Sequence, residues 1–266
     1  MNLQVDFDAV TDLVLQTRKF FSDEDKRGDV TVKGRADFVT QVDFAVQCFL
    51  QKELEKLYPE IQFLGEEGGK EARDSQKPMW ILDPVDGTTN LIRDLQMSVV
   101  SLALWDGEDL VFGCIYHPYR EELCTAVRSQ GTRLNGRPVS VSTAETAAES
   151  LFCVGTSPYE KAEYADTAFA QMKQVFLAGL DIRRTASAAM DHMYVAVGRI
   201  DGYFEHYLKP WDCAAGIILV EEAGGRVTDF RGKKVNVLDC PDVVVSNGKI
   251  HNEFLKLLDV EGKRDE

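Results

Sequence analysis

Trp80-Ile81-Leu82-Asp83-Pro84-Val85-Asp86-Gly87-Thr88-Thr89-Asn90 is the stretch from which the rest of this 266-residue chain is read. The apolar run that opens it, Met79 to Leu82, has the length and composition of a buried strand. The spacing predicts a strand ending at Asp83, because Pro84 removes a backbone donor and fixes φ. A turn there can bring Asp83, the Val85 carbonyl and Asp86 to one side, and such oxygen donors suit a hard cation. Gly87 lets the backbone approach closely. Thr88-Thr89-Asn90 can then open a helical turn whose free N–H groups hold a phosphate. Read locally, the same residues also make an Asx turn and a helix cap with no further function.

Before this stretch the period is helical. Phe7, Val10, Val14 and Phe21, with Leu13, form one stripe; Val42, Val46, Phe49, Leu50, Leu54 and Leu57 form a second, ended by Pro59. After it come strand-like runs at 98–105, 110–117 and 122–127, and Asn135-Gly136 gives a type I′ hairpin signal. Beyond residue 145 strands and helices alternate. Strands are expected at 151–155, 181–183, 202–205, 226–229 and 242–246, and helices at 163–178, 187–198, 213–223 and 248–258. The pattern reads as α+β joined to α/β, with residues 1–145 as one domain and 146–266 as the other.

The charge narrows the function. Thirty Lys and Arg against forty-four Asp and Glu leave −14, with no basic block to release counterions from nucleic acid or to meet anionic lipid. Neither nucleic acid nor membrane is an expected partner. The first residues are polar and acidic, unlike an export signal, so the expected compartment is the cytoplasm. Six scattered cysteines without metal spacing are expected to be reduced thiols, mostly in the core. The four histidines show no ligand spacing and are expected to be structural or exposed, and Arg183-Arg184 to be a surface pair.

Two further acidic points frame the opening stretch. Gly65-Glu66-Glu67-Gly68-Gly69 follows an apolar run, which puts Glu66 at a strand end. Trp211-Asp212 precedes the apolar, small-residue segment Cys213 to Val220, where Asp212 reads as an N-cap. Taken in order, G-E-E at 65–67, D-P-V-D-G-T-T-N at 83–90 and W-D-C-A-A-G at 211–216 resemble the inositol monophosphatase family, within the lithium-sensitive Mg²⁺-dependent phosphatases. D-F-V-T-Q-V-D at 37–43 and E-A-G-G at 222–225 extend the resemblance over residues 33 to 247.

The resemblance implies a layered α-β-α-β-α sandwich of the sugar-phosphatase type. It implies a first Mg²⁺ on Glu66, Asp83 and the Val85 carbonyl, and a second on Asp83, Asp86 and Asp212, with two or three ions per site. Thr88 paired with Asp43 would orient the attacking water, with Glu66 helping as base. The phosphate and the polyol would be held by Asp86, Gly87, Thr88, Asp212, Glu205 and the segment Ala186-Ser187-Ala188, in which Ala186 replaces the usual glycine. Lithium sensitivity and a homodimer are also implied. The expected activity is hydrolysis of inositol monophosphate or a similar polyol phosphate. The alternatives are a fructose-1,6-bisphosphatase, a 3′-phosphoadenosine 5′-phosphate phosphatase, and a protein that binds divalent cations and polyol phosphates without catalysis. Lys209 could meet a second phosphate or stand as a surface charge, and the surface reading is preferred.

Overall fold

The first apolar stripe folds as two helices rather than one. Helix α1 (Phe7–Leu15) starts at Asp6, whose carboxylate accepts from the Asp8 and Ala9 N–H groups. It stops where both the amide and the hydroxyl of Thr17 bond the Val14 carbonyl, and α2 (Arg18–Phe21) resumes the stripe. Residues 4–22, 30–34, 37–68, 73–157, 161–239 and 242–260 are described by this computed structural model, so Gly69 and Cys240 lie outside the described residues. Strands β1 (Val30–Gly34) and β2 (Asp37–Thr40) pair as an antiparallel ribbon that leads into α3 (Gln41–Leu57). Val42, Val46, Leu50 and Leu54 recur at helical spacing, and α3 buries them all.

A seven-stranded sheet follows in chain order. It consists of β3 (Gln62–Gly65), β4 (Met79–Asp86), β5 (Val99–Trp105), β6 (Leu110–His117), β7 (Glu122–Val127), β8 (Thr132–Leu134) and β9 (Arg137–Val139). Only the β3–β4 pair is parallel. Asn135 and Gly136 have φ of 49° and 76°, the pair of positive values that a type I′ turn demands. One expectation is corrected: β4 does not stop at Pro84 but runs to Asp86. The β4–β5 register shifts between Asp83 and Asp86, so the proline falls at an irregularity where its missing donor is tolerated. That irregularity also re-aims the two aspartates that flank it.

The second half supplies β10 (Leu151–Val154), α5 (Lys161–Ala178), β11 (Asp181–Arg183), α6 (Ala188–Ala196), β12 (Gly202–His206), α7 (Pro210–Glu222), β13 (Arg226–Thr228), β14 (Asp242–Ser246) and α8 (His251–Leu258). Its five strands form a sheet in the order β11-β10-β12-β14-β13, with β11, β10 and β12 parallel. Helices α6 and α7 lie between the two sheets. Their buried residues share one core with Ile81 and Ala103 of the first sheet and Cys153, Tyr203 and Val245 of the second. The first sheet's other face packs under α1 and α3, and the second sheet's other face under α5 and α8. Five layers result, α-β-α-β-α, as expected.

Close approach seats α7 on β6. A Cβ at Gly113 would stand 2.5 Å from Ile218 Cγ2 and 2.8 Å from the Ala215 carbonyl oxygen, so only glycine leaves the helix room. This contact matters for function because α7 carries Asp212. The buried Cys114, Cys124 and Cys153 and the exposed Cys48 are free thiols, but Cys213 is disulfide-bonded, which corrects the expectation of six reduced cysteines. Cysteine spacing could not signal this bond, because pairing depends on tertiary approach. Among the described residues no helix is long and apolar enough to cross a membrane.

Candidate active site

The opening stretch ends in a backbone cradle. Asp83 Oδ1 accepts from the Val85 N–H at 3.0 Å, and Gly87 takes φ of 92° to start a short helix α4, Thr88–Ile92. A Cβ at Gly87 would meet the Met97 carbonyl oxygen at 2.9 Å, so a side chain is excluded there twice over. The Thr88 hydroxyl lies 3.0 Å from the Val85 carbonyl oxygen and 3.2 Å from Asp43 Oδ1.

Asp43 comes from the third position of α3, where its other oxygen accepts from the Thr40 N–H at 2.8 Å and the Thr40 hydroxyl at 2.6 Å. This capping box explains why a carboxylate can be fully buried at a helix start. Asp212 is placed in the same way, which corrects its reading as an N-cap. It stands third in α7, after Pro210, and its Oδ2 accepts from the Lys209 N–H at 2.7 Å. Two helices thus present an aspartate from their first turns, where the helix dipole favours negative charge.

Asp86 is held by a third helix. Its Oδ2 accepts from the Ser187 hydroxyl at 2.7 Å and from the Ala189 N–H at 2.6 Å, at the N-terminus of α6. The resemblance gathers Asp86 and Ser187 at one site, and the fold joins them directly across 101 positions. Glu66 follows β3, and its N–H bonds the Leu82 carbonyl of β4 at 3.1 Å. Gln47 of α3 fixes the next residue, accepting from the Glu67 N–H at 2.9 Å and donating back to the Glu67 carbonyl. The polar Gln47 on a buried helix face was the one available signal of this brace.

These pieces surround one cavity of about 300 Å³. Glu66, Asp83, Val85, Asp86, Gly87 and Thr88 line it from the first half of the chain. Ala186, Ser187, Ala188, Glu205 and Asp212 line it from the second, while Asp43 stands behind Thr88. Ala186 adopts φ of 61°, the left-handed conformation, so the turn keeps a glycine-like shape despite the methyl group. Replacing it with glycine removes that strain, and Ala186→Gly is expected to raise stability by about 1 kcal/mol in denaturant unfolding. An unchanged or lower midpoint would show the methyl group to be well accommodated.

The electrostatics follow from crowding. Burial, then the negative charges of Glu66, Asp86 and Asp212, hold the Asp83 carboxyl well above the usual carboxylate range. Burial and the charge of Asp86 do the same to Asp212. Burial lifts Asp86 to about 6 against the pull of its bonds to Ser187 and α6. Burial also lifts Asp43 to about 6, against the opposing bonds from Thr40. It takes Glu205 to about 7, although Tyr203 donates to its Oε2 at 2.5 Å.

Buried carboxylates facing one another are costly unless a cation joins them. The donors available are four carboxylates, Glu66, Asp83, Asp86 and Asp212, with the Val85 carbonyl, an all-oxygen set that fits Mg²⁺ by chemistry. As they stand, no three His, Cys, Asp or Glu side chains among the described residues are close enough together to hold an ion. Of these carboxylates, Asp86 and Asp212 each have one oxygen engaged by a backbone N–H, from Ala189 and Lys209.

The acidic cavity thus draws its lining from three separated motifs of the chain. The pattern of the inositol monophosphatase family matches residues 3–261. The chain belongs to this family. Nus factor SuhB of Escherichia coli strain K12 is 40% identical over 227 residues, covering 85% of this chain and 84% of that protein. Inositol-1-monophosphatase of Synechocystis sp. strain PCC 6803 is 34% identical over 259 residues, covering 97% and 90%. The crystal structure of the suppressor protein suhB from Bartonella henselae superposes with a TM-score of 0.88 at 31% identity, covering 96% and 98%.

Arg184 is exposed, as expected with Arg183, and it also lines the cavity, bonded to Thr156. Arg183 does face outward and pairs with Asp181. Lys209 is exposed and is not part of the lining, in keeping with its surface reading. His117, His192 and His251 are buried, and burial pushes each down to about 4, which leaves them as neutral structural groups.

Proposed function

We propose that this protein is a Mg²⁺-dependent phosphomonoesterase acting on inositol monophosphate or a related polyol phosphate. The observation that carries the reading is the convergence of Glu66, Asp83, Asp86 and Asp212 with the Val85 carbonyl on one cavity. Two or more Mg²⁺ ions, when bound, supply masking of phosphate charge and a lowered pKa for water. The groups that would hold them are these four carboxylates and the Val85 carbonyl.

The remaining roles belong to this chain's own groups. The Thr88 hydroxyl has one proton and two acceptors in reach, Asp43 Oδ1 and the Val85 carbonyl. Donating to either leaves a Thr88 lone pair to accept from a water and so orient it, and Glu66, in the same cavity lining, is the residue that would take the proton. The Gly87 and Thr88 N–H groups offer donors to phosphate oxygens that gain charge during hydrolysis. Ser187 and α6 fix Asp86, so the constellation is held before substrate arrives. Glu205 accepts hydrogen bonds from polyol hydroxyls.

Steady-state phosphate release from inositol 1-phosphate, 3′-phosphoadenosine 5′-phosphate and histidinol phosphate tests the substrate. The expected order places inositol 1-phosphate first, and a strong preference for the nucleotide would overturn that assignment. Rapid quench is expected to trap no phosphoenzyme, because Pro84 separates the aspartates from the spacing of an aspartyl-phosphate site.

One observation favours a second reading: relatives at 40% identity carry the name Nus factor SuhB. Under it the chain serves as such a factor, independently of turnover. Rescue of cells lacking the protein by a hydrolytically dead Asp83→Asn variant would support that role, and failure of the rescue would favour the enzyme.

A further inference from the structure

Asp191 is a buried carboxyl that the chemistry of the cavity leaves unused. It stands fourth in α6, the helix between the two sheets, and is 1% exposed. Burial pushes it well above the usual carboxylate range, against the bonds it accepts from Cys153 and Thr185. A buried carboxyl costs more than an apolar side chain that could fill the same space. Neither Asp191 nor Thr185 lines the cavity, so what this carboxyl does for the site passes through the groups it bonds.

Those groups form a relay that ends at a proposed metal ligand. The Thr185 hydroxyl donates to Asp191 Oδ1 at 2.8 Å and accepts from the Ser187 N–H at 3.1 Å. Ser187 in turn caps α6. Its Oγ accepts from the Met190 N–H at 3.4 Å and donates to Asp86 Oδ2 at 2.7 Å. Asn90 of α4 donates to the Thr185 carbonyl at 2.8 Å, which ties the same turn to the first half of the chain. Between Thr185 and Ser187 stands Ala186 with φ of 61°, a conformation that persists only where the surroundings hold it. Asp191, Thr185, Ser187 and Asp86 are all at least nine-tenths buried, so water has little access to replace a lost bond.

We propose that Asp191 is a positioning residue for the metal site: through Thr185 it fixes the turn that aims Ser187, and through Ser187 it fixes Asp86. This rests on the reading of Asp86 as a Mg²⁺ ligand. A ligand carboxylate left free to turn must be ordered when the ion arrives, and affinity falls by the cost of that ordering. Groups that hold a metal's ligands from behind typically set affinity or activity by about 10- to 100-fold.

Calorimetric titration of Mg²⁺ into metal-free protein at pH 8 tests this on the wild type, Asp191→Leu, Asp191→Asn and Thr185→Val, with a melting curve for each. Asp191→Leu fills the space without an acceptor, and Thr185→Val removes the hydroxyl from the middle of the relay. Each is expected to raise the Mg²⁺ Kd by about 10-fold or more. Asparagine keeps the oxygen that accepts from Thr185, so Asp191→Asn should stay within about threefold of the wild type. In phosphate release, the Mg²⁺ needed for half-maximal rate should rise in the same proportion for Asp191→Leu and Thr185→Val. Should Asp191→Leu fail to fold, Thr185→Val set against Asp191→Asn decides the question. A lower Tm with an unchanged Kd would make Asp191 a packing residue and overturn the relay, as would an Asp191→Asn Kd as weak as that of Thr185→Val. Either result leaves the phosphatase reading intact when the wild type binds Mg²⁺ and releases phosphate. Wild-type protein that binds no Mg²⁺ would overturn both.

Discussion

Asp83→Asn is expected to abolish phosphate release and, in metal-free protein, to make the fold more stable. Asp83 lies between the other carboxylates, and burial together with the charges of Glu66, Asp86 and Asp212 already disfavours its ionised form. An asparagine keeps the oxygen that accepts from the Val85 N–H but removes the charge. The folded apo protein thus loses a like-charge conflict that the unfolded chain does not have, a gain of about 1–2 kcal/mol and a few degrees in Tm. The same change removes a proposed ligand common to both metals, and turnover should fall by about 10³-fold or more. Calorimetry in chelator and a phosphate-release assay check the two halves. A variant that melts lower than wild type and keeps its turnover would show that Asp83 is a structural cap.

Mg²⁺ should stabilise the protein strongly at pH 8 and weakly at pH 5.5. The sign follows from the direction of the shifts. Asp43 and Asp86 lie near 6 and Glu205 near 7, with Asp83 and Asp212 raised as well. A carboxyl whose folded pKa is raised contributes stability below its unfolded pKa, and that contribution is lost as pH rises through the folded value. The apo protein therefore grows less stable between about pH 4 and 7 on account of these groups. Metal binds the deprotonated carboxylates, so protons compete with it in the same window. At a hundred times its Kd a ligand adds about 2.7 kcal/mol, some 5–10 °C in a chain of this size. Melting with and without saturating Mg²⁺ at the two pH values should show that shift at pH 8 and less than about half of it at pH 5.5. Equal shifts would mean that the ion binds elsewhere.

Much of the architecture could be read in the residues because local chemistry decided it. Asn135-Gly136 specified its turn, and the α3 stripe specified its buried face. The carboxylates of the three motifs were legible for a different reason: each alone reads as a cap or an acidic turn, and only the ordered set resembles a family that groups them. What escaped was set by tertiary approach. Pro84 looked like a strand end until the β4–β5 irregularity absorbed it. Asp212 looked like a cap because sequence shows neighbours, not which backbone N–H a carboxylate reaches. Arg184 is the exposed residue the sequence suggested, but its place in the cavity lining was hidden because its partner Thr156 lies 28 residues away. The bond at Cys213 was hidden for the same reason.

The central claim is that hydrolysis occurs at these carboxylates and requires a divalent cation. Phosphate release from inositol 1-phosphate by chelator-treated protein, before and after adding Mg²⁺, tests it most directly when wild type and Asp83→Asn are assayed side by side. The account predicts no release without metal, release by the wild type once Mg²⁺ is added, and none by the variant under either condition. Release that survives chelation, or that Asp83→Asn matches, would contradict it.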